Sequence, residues 1–365
     1  MVNKLIVSNV LYRPVRTALS ALAVAMEVAM VMLFVGLAHG LVSDSARRQE
    51  GVGADIMVQP EAQSFFLAFS SAPMPLSIGD RLKQIPNVQA VAPTLILFNT
   101  GALSMVFGID IDSFDRVSGG FAYYAGGPFQ KPYDLLVDDL YAKSNHVKLW
   151  QTVTLLNHDF RVCGIVQNGK GARMFIPMQT AEELQQVQDK ASIFWVKCTD
   201  PKYTNGVYEA IKQLLPRYKI TPVQEWKSLM TSNNIPGVNA FITVVIVIAV
   251  AIGFLVIFLS MYTTITERTR EIGILKSLGA SKGYIIAVIL RETGLLSAVG
   301  IVVGYGLAAL VRKLVLAYYP TLFIELTFLW AGYAAILAFI GSLLGAFYPA
   351  FRAARLDPVD ALAYE

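Results

Sequence analysis

The sequence predicts a membrane protein with four transmembrane α-helices and one large α+β extracytoplasmic domain inserted between helices 1 and 2. Of its 365 residues, 55% are hydrophobic and 15% are charged, whereas about a quarter of the residues in a soluble domain are charged. The apolar residues are concentrated in four long runs. Composition and distribution together exclude an ordinary soluble enzyme or binding domain.

Each apolar run is long enough to cross a bilayer, which takes about 20 helical residues. The runs cover residues 17–40, 238–261, 294–316 and 327–348. The first is too long for the apolar core of a secretion signal, so we predict a retained helix. The runs predict three regions: a cytoplasmic N-terminal segment with helix 1 (1–41), an extracytoplasmic domain (42–237), and a region containing helices 2–4 (238–365).

The short segments between these runs predict the orientation, because cytoplasmic loops are enriched in Lys and Arg. The side that would hold both termini carries Lys4, Arg13, Arg16, Arg268, Arg270, Lys276, Lys282, Arg291, Arg352 and Arg355. The short loop on the other side has only Arg312 and Lys313. We therefore predict that both termini lie in the cytoplasm. The net charge of +4, without a basic run interleaved with aromatic residues, does not indicate nucleic-acid binding.

Short periodic segments predict a mixed α+β fold for residues 42–237. Residues 77–88 suggest a helix capped by Ser77 that ends before Pro86. Residues 91–110 predict two strands around a turn at 99–101, and residues 152–166 predict a hairpin that turns at 157–159. Two further stretches, 180–190 and 205–218, have helical spacing. Strands and helices therefore mix within one domain.

Both cysteines, Cys163 and Cys198, lie in this domain. We favour two small buried side chains in separate strands. A disulfide is the alternative, because the predicted compartment is oxidising.

Residues 266–280 combine many charges with regularly spaced apolar residues, and they predict a short amphipathic helix between helices 2 and 3. Ile272, Leu275 and Leu278 recur at i, i+3 and i+6 as an apolar face. Gly279 is a candidate C-cap, and Ser281 is a candidate cap for the following helix. The charged residues of the segment are Glu267, Arg268, Arg270, Glu271 and Lys276.

Two interpretations of this helix remain open. A helix resting on anionic lipid explains Arg268, Arg270 and Lys276. It does not explain Glu267 and Glu271, which an anionic surface repels. The mixed charge therefore favours a protein partner.

Glu27 lies near the middle of the first apolar run, where a charge costs at least about 2.5 kcal/mol on insertion scales. It is an intramembrane functional candidate; the alternative is a protonated carboxyl hydrogen-bonded between the helices of a dimer.

The glycine pairs 300/304 and 341/345 predict close helix approach, within one chain in preference to a dimer contact. The three histidines are too scattered for a metal site, and no catalytic constellation is evident. Asp357, followed by Pro358, predicts a final cytoplasmic helix.

The stretch ERTREIGILKSLGAS (267–281) resembles the cytoplasmic coupling helix of the FtsX/MacB-type (type VII) ABC transporter permease family. The resemblance continues, in order, through NVLYRPVRTALSALAVA (9–25), GADIMVQP (53–60), IPNVQAVAP (85–93), FGIDIDSFD (107–115), LWQTVTLLNHDFRVCGIV (149–166) and YPAFRAARLDPVDAL (348–362). It covers nearly the whole chain. The family's layout of one helix, a MacB-like core domain and three more helices also matches the hydropathy.

This resemblance implies a permease subunit of the bacterial cytoplasmic (inner) membrane. Such a subunit couples ATP hydrolysis by a separate nucleotide-binding subunit to movement of the extracytoplasmic domain, for export or extraction of a lipophilic or peptide-like substrate. The sequence has no G-x-x-x-x-G-K-[ST] motif. We therefore expect a non-enzymatic chain without its own cofactor, with ATP and Mg²⁺ bound by the partner subunit.

A homodimer or paired permease, membrane lipids and a periplasmic adaptor are the other expected partners. The alternative function is that of a transmembrane sensor, scaffold or mechanotransmitter that regulates an extracytoplasmic partner, such as a cell-wall hydrolase, without cargo.

Overall fold

A computed structural model describes residues 14–61, 74–99, 104–225 and 237–357. Within these ranges the chain forms two compact units. We call residues 14–38, 240–315 and 324–357 the helical unit, and residues 39–239 and 316–323 the α+β unit. The C-terminal helix predicted from Pro358 onward lies outside the described residues.

The helices are α1 (Pro14–Glu50), α2 (Ser77–Lys83), α3 (Ile111–Ser118), α4 (Asp139–Ser144), α5 (Met178–Gln185), α6 (Thr204–Leu214), α7 (Val238–Glu267), α8 (Thr269–Ser277), α9 (Lys282–Tyr318) and α10 (Phe328–Arg355). The strands are β1 (Ile56–Pro60), β2 (Met74–Pro75), β3 (Val88–Asn99), β4 (Ser104–Ile109), β5 (Tyr123–Gly126), β6 (Asp134–Asp138), β7 (Thr152–Leu155), β8 (His158–Val166), β9 (Met174–Pro177), β10 (Lys190–Ala191), β11 (Ile193–Cys198) and β12 (Tyr218–Pro222). A short 3₁₀ turn, Pro201–Tyr203, precedes α6.

In the described part of the chain, four helices (α1, α7, α9 and α10) are long and apolar enough to cross a membrane, which confirms the four predicted spans. All four extend beyond their apolar runs, and two of them do so by ten residues or more. Helix α1 continues ten residues past Gly40 to Glu50, and α9 begins at Lys282, twelve residues before Gly294. Hydropathy marks only the part of a helix that suits lipid, so it misses polar turns that continue the same helix.

Glycines bring the helices of the helical unit into close contact within one chain. A Cβ atom at Gly300 would lie 2.7 Å from Val24 Cβ, and one at Gly304 would lie 2.8 Å from the carbonyl oxygen of Ala25, so α9 packs closely on α1. A Cβ atom at Gly345 would lie 2.8 Å from the carbonyl oxygen of Phe254, so α10 packs closely on α7. Small residues permit this approach between membrane helices. The preference for intrachain packing is confirmed.

The α+β unit is built on a ten-stranded sheet with the order β12-β1-β11-β3-β4-β9-β6-β8-β5, and β7 pairs with β8. The β4–β9 and β6–β8 pairs are parallel, and the other pairs of this sheet are antiparallel. The strands β2 and β10 form a separate antiparallel pair. The mixed α+β fold predicted for this region is therefore confirmed.

Both faces of the large sheet are covered by apolar side chains, which alternate along each strand. In β1, Ile56 and Val58 belong to one core, and Met57 belongs to the core on the opposite face. Helices α2, α5 and α6 contribute to the first core, and α3 contributes to the second. Cys198 lies in the first core and Cys163 in the second, and both are free and buried. The disulfide alternative is therefore wrong for this structure, because the sheet separates the two thiols.

Two local predictions in this unit need correction. Ser77 is the first residue of α2, whose N-cap position is Leu76, so Ser77 does not cap the helix. The 152–166 hairpin forms, but its turn begins one residue earlier than predicted, at Leu156 and Asn157. Both residues adopt positive φ, 52° and 63°. Two consecutive residues in this conformation make the tight turn that suits twisted strands. The predicted strands β3 and β4 also pair, and the residues between Asn99 and Ser104 are not described.

Candidate functional site

The charged segment between the second and third membrane helices forms the predicted short helix, α8. The chain leaves α7 after Glu267, and Arg268 takes a non-helical conformation before Thr269 starts the new helix. At the other end, Gly279 has φ +91°. Its N–H donates to the carbonyl oxygen of Lys276, and the N–H of Ala280 donates to that of Leu275. This is the Schellman pattern, in which glycine at positive φ satisfies the last carbonyls of a helix.

Ser281 begins the next helix as predicted. Its Oγ accepts a hydrogen bond from the N–H of Tyr284 at 3.2 Å, three residues on. A side-chain acceptor at this position satisfies one of the unpaired donors in the first turn. The caps at Gly279 and Ser281 thus define the sharp connection between α8 and α9.

The inner face of α8 packs against neighbouring helices of the helical unit. Ile272 is buried and shares an apolar cluster with Ile265, Ile285, Ala353 and Ala354. Burying such a side chain stabilises the packing by about 1.5–3 kcal/mol. The cluster joins α7, α8, α9 and α10 at one end of the bundle, so displacement of α8 must disturb all four helices.

Lys276 fixes the C-terminal end of α8 to the end of α10. Its ammonium group donates to the carbonyl oxygens of Ala354, at 3.1 Å, and Leu356. The last carbonyls of α10 have no partner within their own helix, and a cation there also interacts favourably with the helix dipole. Lys276, predicted as a docking residue, therefore holds α8 in place within the chain.

Arg268 fixes the other end of α8. Its Nε is 2.8 Å from Glu271 Oε2, and its Nη1 is 3.4 Å from Glu292 Oε2. Glu292 lies on α9 and is nearly buried. The sequence did not predict this ion pair between α8 and α9. The available signal was a carboxylate at the edge of an apolar run, which needs a partner when it is buried.

The outer face of α8, together with the flanking residues Glu267 and Leu278, exposes apolar and charged side chains. Leu278 is 80% exposed, Ile274 is 45% exposed and Leu275 is 37% exposed. The side chains of Arg270 and Glu267 are also exposed. Large apolar side chains grouped on a surface indicate an interaction site when they occur with a charged rim.

The predicted single apolar stripe is wrong, because Ile272, Leu275 and Leu278 do not share one face. Each step of three residues rotates the side chain by about −60° in a helix of 3.6 residues per turn. Two such steps turn the direction by about 120°, from the buried Ile272 to the exposed Leu278. Arg268 is likewise an internal ion-pair residue and not a free rim charge.

A groove of about 310 Å³ lies beside α8, between the end of α7 and the start of α9. Its walls are mainly apolar, with Ile274, Leu275 and Ile289 among them, and Arg268, Glu271 and Glu292 supply its polar part. The groove and the exposed surface of α8 together form a concave site. Among the described residues, no group of His, Cys, Asp and Glu side chains is arranged to hold a metal ion.

Glu27, the intramembrane candidate, is buried inside the helical unit and is remote in sequence from α8. Neither of its carboxylate oxygens has a hydrogen-bond partner among the described residues. The carboxyl group occupies the space that a side chain at Gly253 would need, since a Cβ there would lie 1.8 Å from Glu27 Oε2. Gly341 is close on another side, with a Cβ position 3.9 Å from Oε1. Glycines on α7 and α10 thus make room for a carboxyl from α1.

Two family models match the chain. The MacB-like periplasmic core domain matches residues 17–214, and the FtsX-like permease C-terminal domain matches residues 243–358. The first match includes most of the α+β unit, and the second includes α8 and the three C-terminal membrane helices.

Individual relatives agree with these models. The chain is 25% identical over 392 residues to the macrolide export ATP-binding/permease protein MacB of Nitrobacter winogradskyi, and 28% identical over 386 residues to that of Sodalis glossinidius. Both matches include 96% of this chain but only 58% of the relative, so the chain spans little more than half of their length. The crystal structure of the periplasmic region of MacB from Actinobacillus actinomycetemcomitans covers 50% of this chain and 94% of its own, with 18% identity and a TM-score of 0.37.

The domain order of these matches is the order found in the chain: one membrane helix, the core domain, and three membrane helices with α8 between the first two of them. One of the two models alone matches more than half of the residues. The chain belongs to the FtsX/MacB-type family of ABC transporter permeases.

Proposed function

We propose that the chain is a permease subunit whose helix α8 receives force from a separate nucleotide-binding subunit. ATP-driven movement of that subunit pushes on α8, and the membrane helices pass the displacement to the α+β unit. ATP and Mg²⁺ are bound by the partner. In this arrangement the chain itself performs no hydrolysis.

The observation that carries this proposal is the two-sided character of α8. Its inner side is fixed to the bundle by Ile272, Lys276 and Arg268, while Leu278 on its outer side is 80% exposed. A helix that rested on lipid needs no such attachments at both ends. A helix that transmits force needs both a rigid attachment and an open contact surface.

The exposed charges on and beside α8 also support a protein partner. Arg270 and Glu267 lie exposed beside apolar side chains, and Glu271 is also largely exposed. Rim charges of both signs set specificity and register at a protein interface, and the apolar anchors supply most of its binding energy. An anionic membrane surface attracts only the basic residues.

The remaining features of the proposal are an inner-membrane location with cytoplasmic termini and an extracytoplasmic α+β unit. The Lys and Arg distribution supports this orientation. A second permease copy, or a related permease, completes the assembly, and a periplasmic adaptor is a further partner. The cargo class is lipophilic or peptide-like, which the macrolide export named for the MacB relatives supports.

A second candidate function is mechanotransmission without cargo, in which the α+β unit regulates an extracytoplasmic enzyme such as a cell-wall hydrolase. The match to the FtsX-like permease C-terminal domain supports the force-transmitting part of this function. It requires the same contact between α8 and an ATPase. A sensor that works without ATP does not require this contact.

Affinity purification in mild detergent tests the proposal. Tagged full-length chain, purified from its native host, is expected to retain an ABC ATPase that mass spectrometry identifies. ATP hydrolysis by that ATPase is expected to change when the permease is bound. Recovery of the intact permease without any ATPase, in several mild detergents and in cross-linked membranes, contradicts the proposal and favours the sensor.

A further inference from the structure

Four charged residues, two buried aspartates and two arginines that are largely shielded from solvent, form one cluster at the point where α1 ends in the α+β unit. Arg173 is at its centre: Nη2 is 3.0 Å from Asp44 Oδ2, and Nη1 is 3.0 Å from Asp138 Oδ2. Arg48 Nε is also 3.0 Å from Asp44 Oδ2. Asp44 and Arg48 lie one turn apart near the end of α1, whereas Asp138 and Arg173 belong to the sheet region. Two acidic and two basic groups balance the charge.

The cluster is shielded from solvent, which distinguishes it from surface ion pairs. The side chains of Asp138, Asp44 and Arg173 are 1%, 11% and 13% exposed. Asp138 is held on both sides, because its other oxygen accepts a hydrogen bond from the N–H of Tyr141 at 2.6 Å and caps α4. Exposed ion pairs contribute little, but loss of one partner from a buried pair leaves an uncompensated charge.

The loop at residues 168–173, between β8 and β9, encloses the end of α1 through its backbone. The N–H of Gly171 donates to the carbonyl oxygen of Arg48 at 2.8 Å, and Arg48 Nη1 donates to the carbonyl oxygen of Gly171 at 3.3 Å. A Cβ atom at Gly51 would lie 2.0 Å from the carbonyl oxygen of Gly169, so helix and loop touch without intervening side chains. Backbone and charge contacts therefore hold the same helix end.

Arg173 also reaches the connection between α9 and α10. Its Nη2 donates to the carbonyl oxygen of Thr321 at 3.4 Å, and in the same connection Phe323 lies under Arg47, with 5.5 Å from Cζ to the ring centroid. The planar guanidinium presents several donors in fixed directions, so one Arg can hold three segments where a Lys cannot. The three segments are the end of α1, the start of α4 and the α9–α10 connection.

We propose that Arg173 is a positioning residue that clamps the end of α1 to the α+β unit, so that the last turns of this helix and the sheet move as one rigid body. Its role as a force-transmitting clamp rests on the proposed function. The rigidity itself does not, because it concerns only the contacts within the α+β unit. Helix α1 continues without interruption from the helical unit into this clamp.

Distance measurement by pulsed electron spin resonance on the full-length chain in nanodiscs tests the clamp. Spin labels are placed at Leu41→Cys on α1 and Tyr124→Cys on β5, which are both exposed. The native thiols are buried and stay unlabelled. With labelled chain diluted in an excess of unlabelled chain, so that distances between copies do not contribute, the wild-type background is expected to give one narrow distance distribution. Arg173→Ala is expected to give a broad distance distribution. Arg173→Lys is expected to give a distribution of intermediate width.

Arg161→Ala is the matched control. Arg161 also pairs with a buried aspartate of the same unit, Asp134, at 2.8 Å, but it makes no contact with α1 among its described contacts. This variant should keep the narrow distribution. If Arg173→Ala does not fold, Asp44→Asn replaces it, with the same expected broadening.

An unchanged distribution in Arg173→Ala or Asp44→Asn overturns the clamp, and so does equal broadening in Arg161→Ala, which would show general loosening. These outcomes leave the proposed function standing if the ATPase still binds α8. If the wild-type chain binds no ATPase but gives the expected distance distribution, only the proposed function is refuted.

Discussion

The ammonium group of Lys276 donates a hydrogen bond to the carbonyl oxygen of Ala354 at 3.1 Å, which joins the last turn of α8 to the C-terminal end of α10. The residues are 78 positions apart in the sequence. This bond makes α8 part of the membrane bundle. A force applied to its outer face therefore reaches α10 as well as α7 and α9.

Loss of this bond should loosen α8 without unfolding the permease. Hydrogen bonds to charged groups contribute about 1.5–3 kcal/mol, so Lys276→Met is expected to speed amide exchange in residues 272–280 by roughly 10- to 100-fold. Hydrogen–deuterium exchange with mass spectrometry measures this. Lys282→Met, at the exposed first residue of α9, is the control and should leave the exchange unchanged. Equal protection of α8 in both variants contradicts the anchoring role.

Gly253 should be intolerant of a side chain because Glu27 occupies the space beside it. A Cβ at Gly253 would lie 1.8 Å from Glu27 Oε2, and overpacking of this kind costs about 1–3 kcal/mol. Gly253→Ala is expected to lower the melting temperature of the detergent-solubilised permease. Glu27→Ala combined with Gly253→Ala should recover most of that loss, because the carboxyl is gone.

Gly332→Ala is the matched control for this pair, since no atom lies within 4 Å of the Cβ position there. It should leave stability unchanged or raise it, as alanine favours helix. Glu27→Gln keeps the shape and should retain stability. If Glu27→Gln abolishes ATPase coupling, the carboxyl group has a role beyond packing. If the effects of Gly253→Ala and Glu27→Ala on the melting temperature are additive, the contact between the two residues is contradicted.

The two cysteines should remain unreactive in the folded protein. Burial raises the pKa of Cys163 to about 12, and burial also raises the pKa of Cys198 above its ordinary value. At pH 8 only a very small fraction of Cys163 is then present as the reactive thiolate. Maleimide is expected to label neither thiol until the chain is denatured. A mass increase of two hydrogen atoms when the protein is reduced would instead reveal a disulfide.

The orientation can be tested with two single cysteines on a background without Cys163 and Cys198. Lys282→Cys lies at the exposed start of α9, and Tyr124→Cys lies on an exposed strand of the α+β unit. An impermeant maleimide added to intact cells should label only Tyr124→Cys, and both sites should react after the membrane is opened. Labelling of Lys282→Cys in intact cells contradicts cytoplasmic termini.

The sequence was sufficient to predict the four membrane helices, the α+β domain and the existence of α8. Hydropathy and helical capping depend on residues that are close in sequence, and the Gly279 and Ser281 caps are examples. It was not sufficient to predict which side of α8 is buried. The buried side depends on where α9 and α10 lie. In the sequence Lys276 and Arg268 have the pattern of surface charges, whereas in the structure their partners lie on α10 and α9.

The charge cluster at Arg173 could not be predicted for the same reason. Asp44, Asp138 and Arg173 are far apart in the sequence, and only the fold brings them together. A partial signal existed in the pair Asp44 and Arg48, one helical turn apart just beyond the first apolar run. The glycines at 169 and 171 are typical of a turn, but nothing local indicates which helix that turn encloses.

The central claim, that the outer face of α8 docks a nucleotide-binding subunit, is tested most directly by the affinity of the purified ATPase for Leu278 variants at matched permease amounts. Leu278 is 80% exposed, so substitutions there leave the permease folded. An apolar anchor at an interface contributes about 2 kcal/mol or more, so Leu278→Asp and Leu278→Lys should both weaken ATPase binding by roughly 30-fold or more. Tyr124→Asp, on the α+β unit, should bind like wild type. Wild-type ATPase affinity in both Leu278 variants contradicts docking at α8, whereas a loss with Asp alone, relieved by Lys, would indicate attachment to anionic lipid.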